Sequence, residues 1–349
     1  MMMKKILVVM LFAGASYQSW SQKAAPAQTL RLATSTYEQG RLHELEGILG
    51  NLTGFTKEQK VAAYKLLTQA YIYLEEPKKA DTTMLNLLAT DNYFAINKEI
   101  DPAEFVALYN TFRTEPIFAI GVRFSPLVIQ PTVVTDFYTT ADARGTGKYS
   151  VGIGIAAGLF FEKKVKEKIT FSPELLYASR TFKDLTSLFE KDNTDELLGT
   201  IDVTFKQTWL DLNLITQFQL GKKNTLFNPY IAAGPGFSYN LRSFIQPVTT
   251  GLSGVSVSGP DIDIKNSTEK LMYSFLVAGG AKLRIGSIFV SLEVRYQYGL
   301  NKAINFDTRT NYENVLDYGY QLNDFRMSSA SVALGVSYPV FKPIKLKNK

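Results

Sequence analysis

From Pro116 onward, apolar and polar residues alternate with a period of two, the signature of extended strands with two different faces. The clearest run is Thr208 to Leu220. Leu210, Leu212, Leu214, Thr216, Phe218 and Leu220 form one face, and Trp209, Asp211, Asn213, Gln217 and Gln219 form the other. About thirteen residues is well beyond an ordinary globular strand and long enough to cross a bilayer when tilted. A strand in hydrocarbon cannot leave its N–H and C=O groups unpaired, so one spanning strand implies a closed barrel of them.

Seven further runs carry the same alternation: Ile117 to Pro126, Tyr149 to Phe161, Ile169 to Thr181, Tyr230 to Leu241, Leu271 to Ile285, Ile288 to Leu300 and Met327 to Phe341. The connections between the eight strands alternate strictly. The second, fourth and sixth are short (EKKVKEK, GKKNTLFN, and Gly286 with Ser287), while the first, third, fifth and seventh are long and polar. Short turns on one side and long loops on the other describe an up-and-down barrel in an outer membrane, with both chain ends on the periplasmic side. A soluble barrel would instead put its apolar face inside, and its loops would seldom run to the length of Arg242 to Ser267.

Before Pro116 the period is helical. Tyr64, Leu67, Ala70, Tyr71 and Leu74 share one face, Pro77 interrupts, and Ala80, Met84, Leu87 and Leu88 resume it. This helix–turn–helix resembles a tetratricopeptide repeat, with Tyr64, Leu67, Tyr71, Ala80 and Met84 at the pattern's key positions and Thr68 where it wants Gly. A weaker copy runs through Tyr37, Gly40, Leu45 and Leu49. Asp101 and Pro102 read as N-cap and first-turn residues of a last, capping helix striped by Phe105, Leu108, Tyr109 and Phe112. Two repeats and a cap bury little, so Tyr71, Tyr73 and Phe105 are the expected protein-interaction surface.

The first 21 residues have the layout of a secretory signal: Lys4 and Lys5, an apolar run from Ile6 to Ala15, then small and polar residues. Removing them leaves 36 basic against 32 acidic residues, a net charge of +4, too mild to argue for nucleic acid. With no cysteine and a single histidine, His43 in the helical segment, the chain lacks the residues of a thiolate metal site or of a histidine-assisted nucleophile in the barrel. No catalytic, cofactor or metal residue is therefore expected.

Eight strands enclose a space about wide enough for their own side chains. The inward polar set includes Arg123, Glu174, Asp211, Glu293 and Arg295, opposite charges that most simply pair as a structural plug.

The signal and the eight strands from Ile117 to Phe341 together resemble the PorT-like and OmpA-type outer-membrane barrels. The fused helical segment departs from a minimal barrel of that kind, so the chain is expected to be multi-domain: a signal peptide over residues 1–21, a small all-α, tetratricopeptide-like periplasmic domain over 22–115, and an eight-stranded antiparallel transmembrane β-barrel over 116–349. The resemblance implies the barrel. It also implies outer-membrane lipid around the barrel and, by analogy with the secretion role of PorT-like proteins, envelope or secretion-complex partners for the helical domain. The alternative is a surface-binding barrel whose long extracellular loops take a ligand, a glycan or a neighbouring surface protein. The chain departs from many such barrels in running past Phe341 to Lys349, so the tail is expected to be disordered or to leave the terminal aromatic signal internal.

Overall fold

The computed structural model describes residues 26–135, 137, 146–189, 197–221, 227–251, 253–305, 307–308, 318 and 320–346. The expected signal peptide lies outside the described residues. The chain divides into two compact units, residues 117–340 and a second unit in which residues 26–116 are joined by the C-terminal residues 341–346. Among the described residues no helix is long and apolar enough to cross a membrane.

The larger unit is a barrel of eight strands: β1 (Phe118–Thr135), β2 (Gly152–Lys166), β3 (Ile169–Phe189), β4 (Leu197–Gln219), β5 (Phe227–Gly251), β6 (Leu271–Ile285), β7 (Ile288–Gly299) and β8 (Asp324–Val340). Each pairs antiparallel with its neighbour in sequence, and β8 pairs with β1, which closes the ring and leaves none of the eight as a free edge. The alternation sets the faces. Leu212 lies between Leu175 and Phe237 and is 40% exposed on the outside, whereas its neighbour Asn213 lies between Glu174 and Gly236 and is 2% exposed on the inside. Val122, Leu159, Leu292, Val294, Leu334 and Tyr338 repeat this outward apolar exposure around the barrel. At one end β6 turns into β7 through Gly286 and Ser287, with Gly286 at φ +59°, a conformation that costs glycine nothing.

The strands are longer than their apolar runs suggest. β3 and β4 remain paired from Thr181 with Lys206 to Leu188 with Gly199, and β5 follows β4 as far as Gly251. The described residues of the third connection and the first part of the fifth, read from sequence as loops, are thus strand pairs that continue beyond the apolar belt. Short strands at Thr146–Tyr149, Ser256–Ser258 and Ile262–Asp263 add to this wall. One residue adjusts the register: Trp209 faces Asn240 and Thr208 faces Arg242, so Leu241 bulges and inward parity passes from Asn240 to Ser243 and Ile245. That shift brings Ile245 inside with Phe182, Phe205, Ile201 and Phe325, an apolar core at the long-loop end of the lumen.

The second unit contains α1 (residues 26–38), α2 (Leu45–Leu49), α3 (Lys57–Tyr73), α4 (Pro77–Thr90) and α5 (Ala103–Asn110). Thr56 and Gln59 form a reciprocal capping box that starts α3, and Pro77 occupies the first turn of α4. Thr68, in the position where a tetratricopeptide repeat has Gly, is buried with its hydroxyl 2.7 Å from the Tyr64 carbonyl and 3.0 Å from the Thr83 hydroxyl on α4. The weaker upstream copy is cut short, because α2 has only five residues before the chain breaks at Gly50 and Gly54. Pro102, not Asp101, precedes α5. The Asp101 carboxylate instead accepts from the Asn97 N–H and pairs with Lys65.

The described part of the C-terminal tail, residues 341–346, belongs to this helical unit. The Leu346 N–H donates to Thr111 O (2.7 Å) and the Arg113 N–H to Ile344 O (2.9 Å), making a short antiparallel bridge. Lys345 reaches Asp81 at 2.6 Å, and Phe341 meets Tyr93 edge-on with ring centres 5.1 Å apart. The boundary expected at residues 116–349 is corrected accordingly. The barrel ends at Val340, because the tail's backbone and side chains find their partners among the helices.

Candidate functional site

The inward positions of the strands build the lumen in layers. Reading β1 in steps of two from its start gives Ala119, Gly121, Arg123 and Ser125, then Leu127 and Ile129, so the wall passes from small and charged to apolar.

The central layer brings four of the five sequence-proposed charges together. Arg123 places Nη1 2.6 Å from Glu174, and its Nη2 lies 2.8 Å from Glu293, close enough to pair but not aligned as a hydrogen bond. Arg295 meets Glu174 with two contacts, 2.6 Å and 3.1 Å, and Glu293 through Nε at 2.8 Å. Asn213 donates to Glu174 (3.0 Å), and the Tyr230 hydroxyl donates to Glu293. The Arg123 guanidinium also lies 4.3 Å from the centre of the Phe160 ring. Space for that ring comes from glycine, because a Cβ on Gly121 would come within 2.5 Å of it.

Asp211 is not part of this layer. It pairs with Arg180 at 2.6 Å, one level nearer the long-loop end, where Arg180 also lies over Trp209 at 5.6 Å. A third group occupies the short-turn end, where Lys282 Nζ lies 2.7 Å from both Glu162 and the Gln217 carbonyl oxygen. Four cations, Arg123, Arg180, Lys282 and Arg295, thus meet four carboxylates, Glu162, Glu174, Asp211 and Glu293, all nine-tenths or more buried. Burial without such pairing would cost several kcal/mol per charge. Sequence reasoning named neither the Lys282–Glu162 pair nor Arg180 as a network member. The available signal was a charge at inward parity, which identifies the face but not the partner.

Beyond the charges the lumen is closed by aromatic rings. Phe182 and Phe205 stack with centres 4.7 Å apart, Phe325 meets both edge-on, and Ile262 of a short strand with Ile264, Ile304 and Leu322 packs in the same core. Between the charged and aromatic layers lies a cavity of about 20 Å3 lined by Arg180, Ser238, Ser274, Gln297 and Met327, with room for about one water molecule. This is the arrangement of a filled post.

The barrel sequence matches the model of the family described as "Outer membrane protein beta-barrel domain" over residues 117–305, more than half of the chain. The protein belongs to that family. The family places it in the outer membrane. No curated protein matches this outer-membrane barrel protein. Among solved structures it is similar to Neisserial surface protein A at 9% identity, covering 64% of this chain and 96% of that one with a TM-score of 0.28. It is similar to Ail of Yersinia pestis at 12% identity, covering 66% and 99% with a TM-score of 0.28. It is also similar to OprG from Pseudomonas aeruginosa at 13% identity, covering 66% and 97% with a TM-score of 0.30.

In the helical unit of this outer-membrane protein, the expected interaction residues separate. Phe105 is fully buried against Met84, Leu87 and Phe94, and Tyr71 is 6% exposed, packed with Leu67 and Ala80 beneath Lys79. Neither is available to a partner, because the apolar stripe that carries them is what holds the unit together. Tyr73, 51% exposed, is the one of the three at the surface. Burial raises the Tyr71 phenol pKa, with neighbouring Glu46 adding to the effect.

Proposed function

We propose that the protein is a non-enzymatic outer-membrane barrel that anchors a periplasmic protein-interaction module within a secretion or envelope-assembly complex. The observation that carries this reading is the filled lumen. Among the described residues the lumen is occupied by eight paired charges and stacked rings, which supports a contribution of position by the barrel over one of transport or catalysis. What it positions is a separately packed helical unit fastened at both ends of the chain. The α3–α4 hairpin, with Tyr64, Leu67, Tyr71, Ala80 and Met84 in its core clusters, supports a tetratricopeptide-like reading of that unit. The PorT-like resemblance supplies the class of partner. A short-turn end facing the periplasm follows from the even strand number and leads both chain ends there.

The test is co-purification after mild detergent extraction of the membrane. The anchor reading expects an envelope protein in stoichiometric amount that disappears when residues 26–113 are deleted while the barrel still folds. Protease applied to intact cells should leave residues 26–113 uncut.

One observation favours the alternative, in which the long loops bind a surface ligand or neighbour. The strand Ser256–Ser258 lies on the outer flank of β5 in an uncharged stretch, with Val255 and Val257 each more than 60% exposed. Partners that persist after deletion of the helices would support this reading.

A further inference from the structure

The charges outside the lumen are unevenly placed at the short-turn end. The end of β2 carries Lys163, Lys164 and Lys166 and the turn after it Lys168, and Lys282 and Arg284 approach the turn between β6 and β7. Glu162 is taken up inside by Lys282, which leaves Glu167 as the exposed carboxylate of these two turns. Lys163, Lys166 and Lys168 are all exposed.

Their position matters more than their number. Lys163 has outward parity, between Phe161 and the 62% exposed Val165, and pairs across the ladder with the outward Phe171. Phe161 lies 5.3 Å, centre to centre, from Phe118, and Phe218, Phe227, Leu283 and Ile285 present outward apolar side chains toward the same end. A lysine among lipid-facing aromatics at the end of an apolar belt sits at headgroup depth, where its stem lies on apolar surface and its ammonium reaches the phosphates. Bulk solvation of the turn explains Lys168 but not a lysine on the lipid face beside Phe161.

We infer that the short-turn rim around Lys163, Lys166 and Lys168 is a collar that selects anionic phospholipid headgroups of the leaflet it lies in. The inference rests on membership of the outer-membrane barrel family and not on the proposed role of the helical unit. A neutral zwitterionic headgroup offers these ammonium groups a phosphate together with a competing cation, whereas phosphatidylglycerol offers the phosphate alone. Each lysine near an anionic surface is worth about fivefold in association, the equivalent of roughly 1 kcal/mol, and the effect weakens with salt.

The full chain, folded in detergent micelles doped with equal amounts of phosphatidylglycerol and phosphatidylcholine of the same acyl chains, is examined by native mass spectrometry at low ionic strength. The wild type is expected to retain phosphatidylglycerol several-fold over phosphatidylcholine. The variant Lys163→Gln/Lys166→Gln/Lys168→Gln should bring the ratio close to one. Lys206→Gln, at an exposed lysine of the strand wall at the opposite end, should leave it unchanged. The heat-modified gel mobility of each variant reports that the barrel is folded. Equal retention by the wild type overturns the inference, as does a triple variant that keeps the wild-type preference or a Lys206→Gln variant that loses it equally.

Discussion

Arg295 and Glu174 face each other across the barrel lumen in a two-point pair, 2.6 Å and 3.1 Å, with both side chains almost completely removed from solvent. In such a place neither charge can lose the other without being left unpaired. Arg295→Met is therefore expected to lower barrel stability by about 3 to 5 kcal/mol, mostly through the abandoned carboxylates. The double variant Arg295→Met/Glu174→Leu should cost less than the two single variants added together, because each mutation removes the other's orphan. Urea unfolding in lipid vesicles measures both. Additive losses would mean that the pair is not coupled.

The outer belt gives a depth test on one face. Leu212 and Leu185 both point outward, 40% and 45% exposed, but Leu212 lies in mid-belt while Leu185 lies on the extended wall near Asp202 and Lys148. Leu212→Arg should cost about 2 to 4 kcal/mol, and Leu185→Arg about 0 to 1. Folding yield in bilayers, compared between the two, checks this. Similar losses would place the hydrocarbon boundary beyond Leu185.

In the helical unit, Glu75 is held at φ +56° in the turn between α3 and α4, where the Glu76 N–H closes on Tyr71 O at 2.9 Å. That is the left-handed C-terminal position normally given to glycine. Glu75→Gly should stabilise the unit by about 1 kcal/mol. Thermal unfolding of the full chain followed by helical circular dichroism should show a rise, whereas Glu75→Ala should not produce one.

These residues also show what a sequence can and cannot reveal. Leu212 and Asn213 are adjacent, and their opposite faces follow from a period of two, so the closed antiparallel barrel of eight strands could be read directly. Arg180 and Asp211 are 31 residues apart, and their pairing depends on a ladder register that no periodicity encodes. The stretch after Thr181 looked like loop because outward Lys183 and inward Asp184 and Thr186 break the alternation of apolar and polar faces. The strand continues there because both its edges are paired, and its outer face has left the apolar belt. Phe105 was misplaced for another reason. An apolar helical stripe looks the same whether it meets a partner or its own core, and here the core includes a stretch, Phe94 to Ile96, with no helical period to announce it. The C-terminal tail was opaque because its contacts, Thr111, Arg113 and Asp81, lie more than 200 residues away.

The account depends most on the lumen being closed, and single-channel recording in a planar bilayer tests that directly. The folded wild-type protein should show no stable conductance steps at moderate voltage, since among the described residues the paired charges and the Phe182, Phe205 and Phe325 rings occupy the lumen. Discrete, ohmic openings from pure, folded wild-type protein would contradict the filled post and with it the assignment of function to the helical unit.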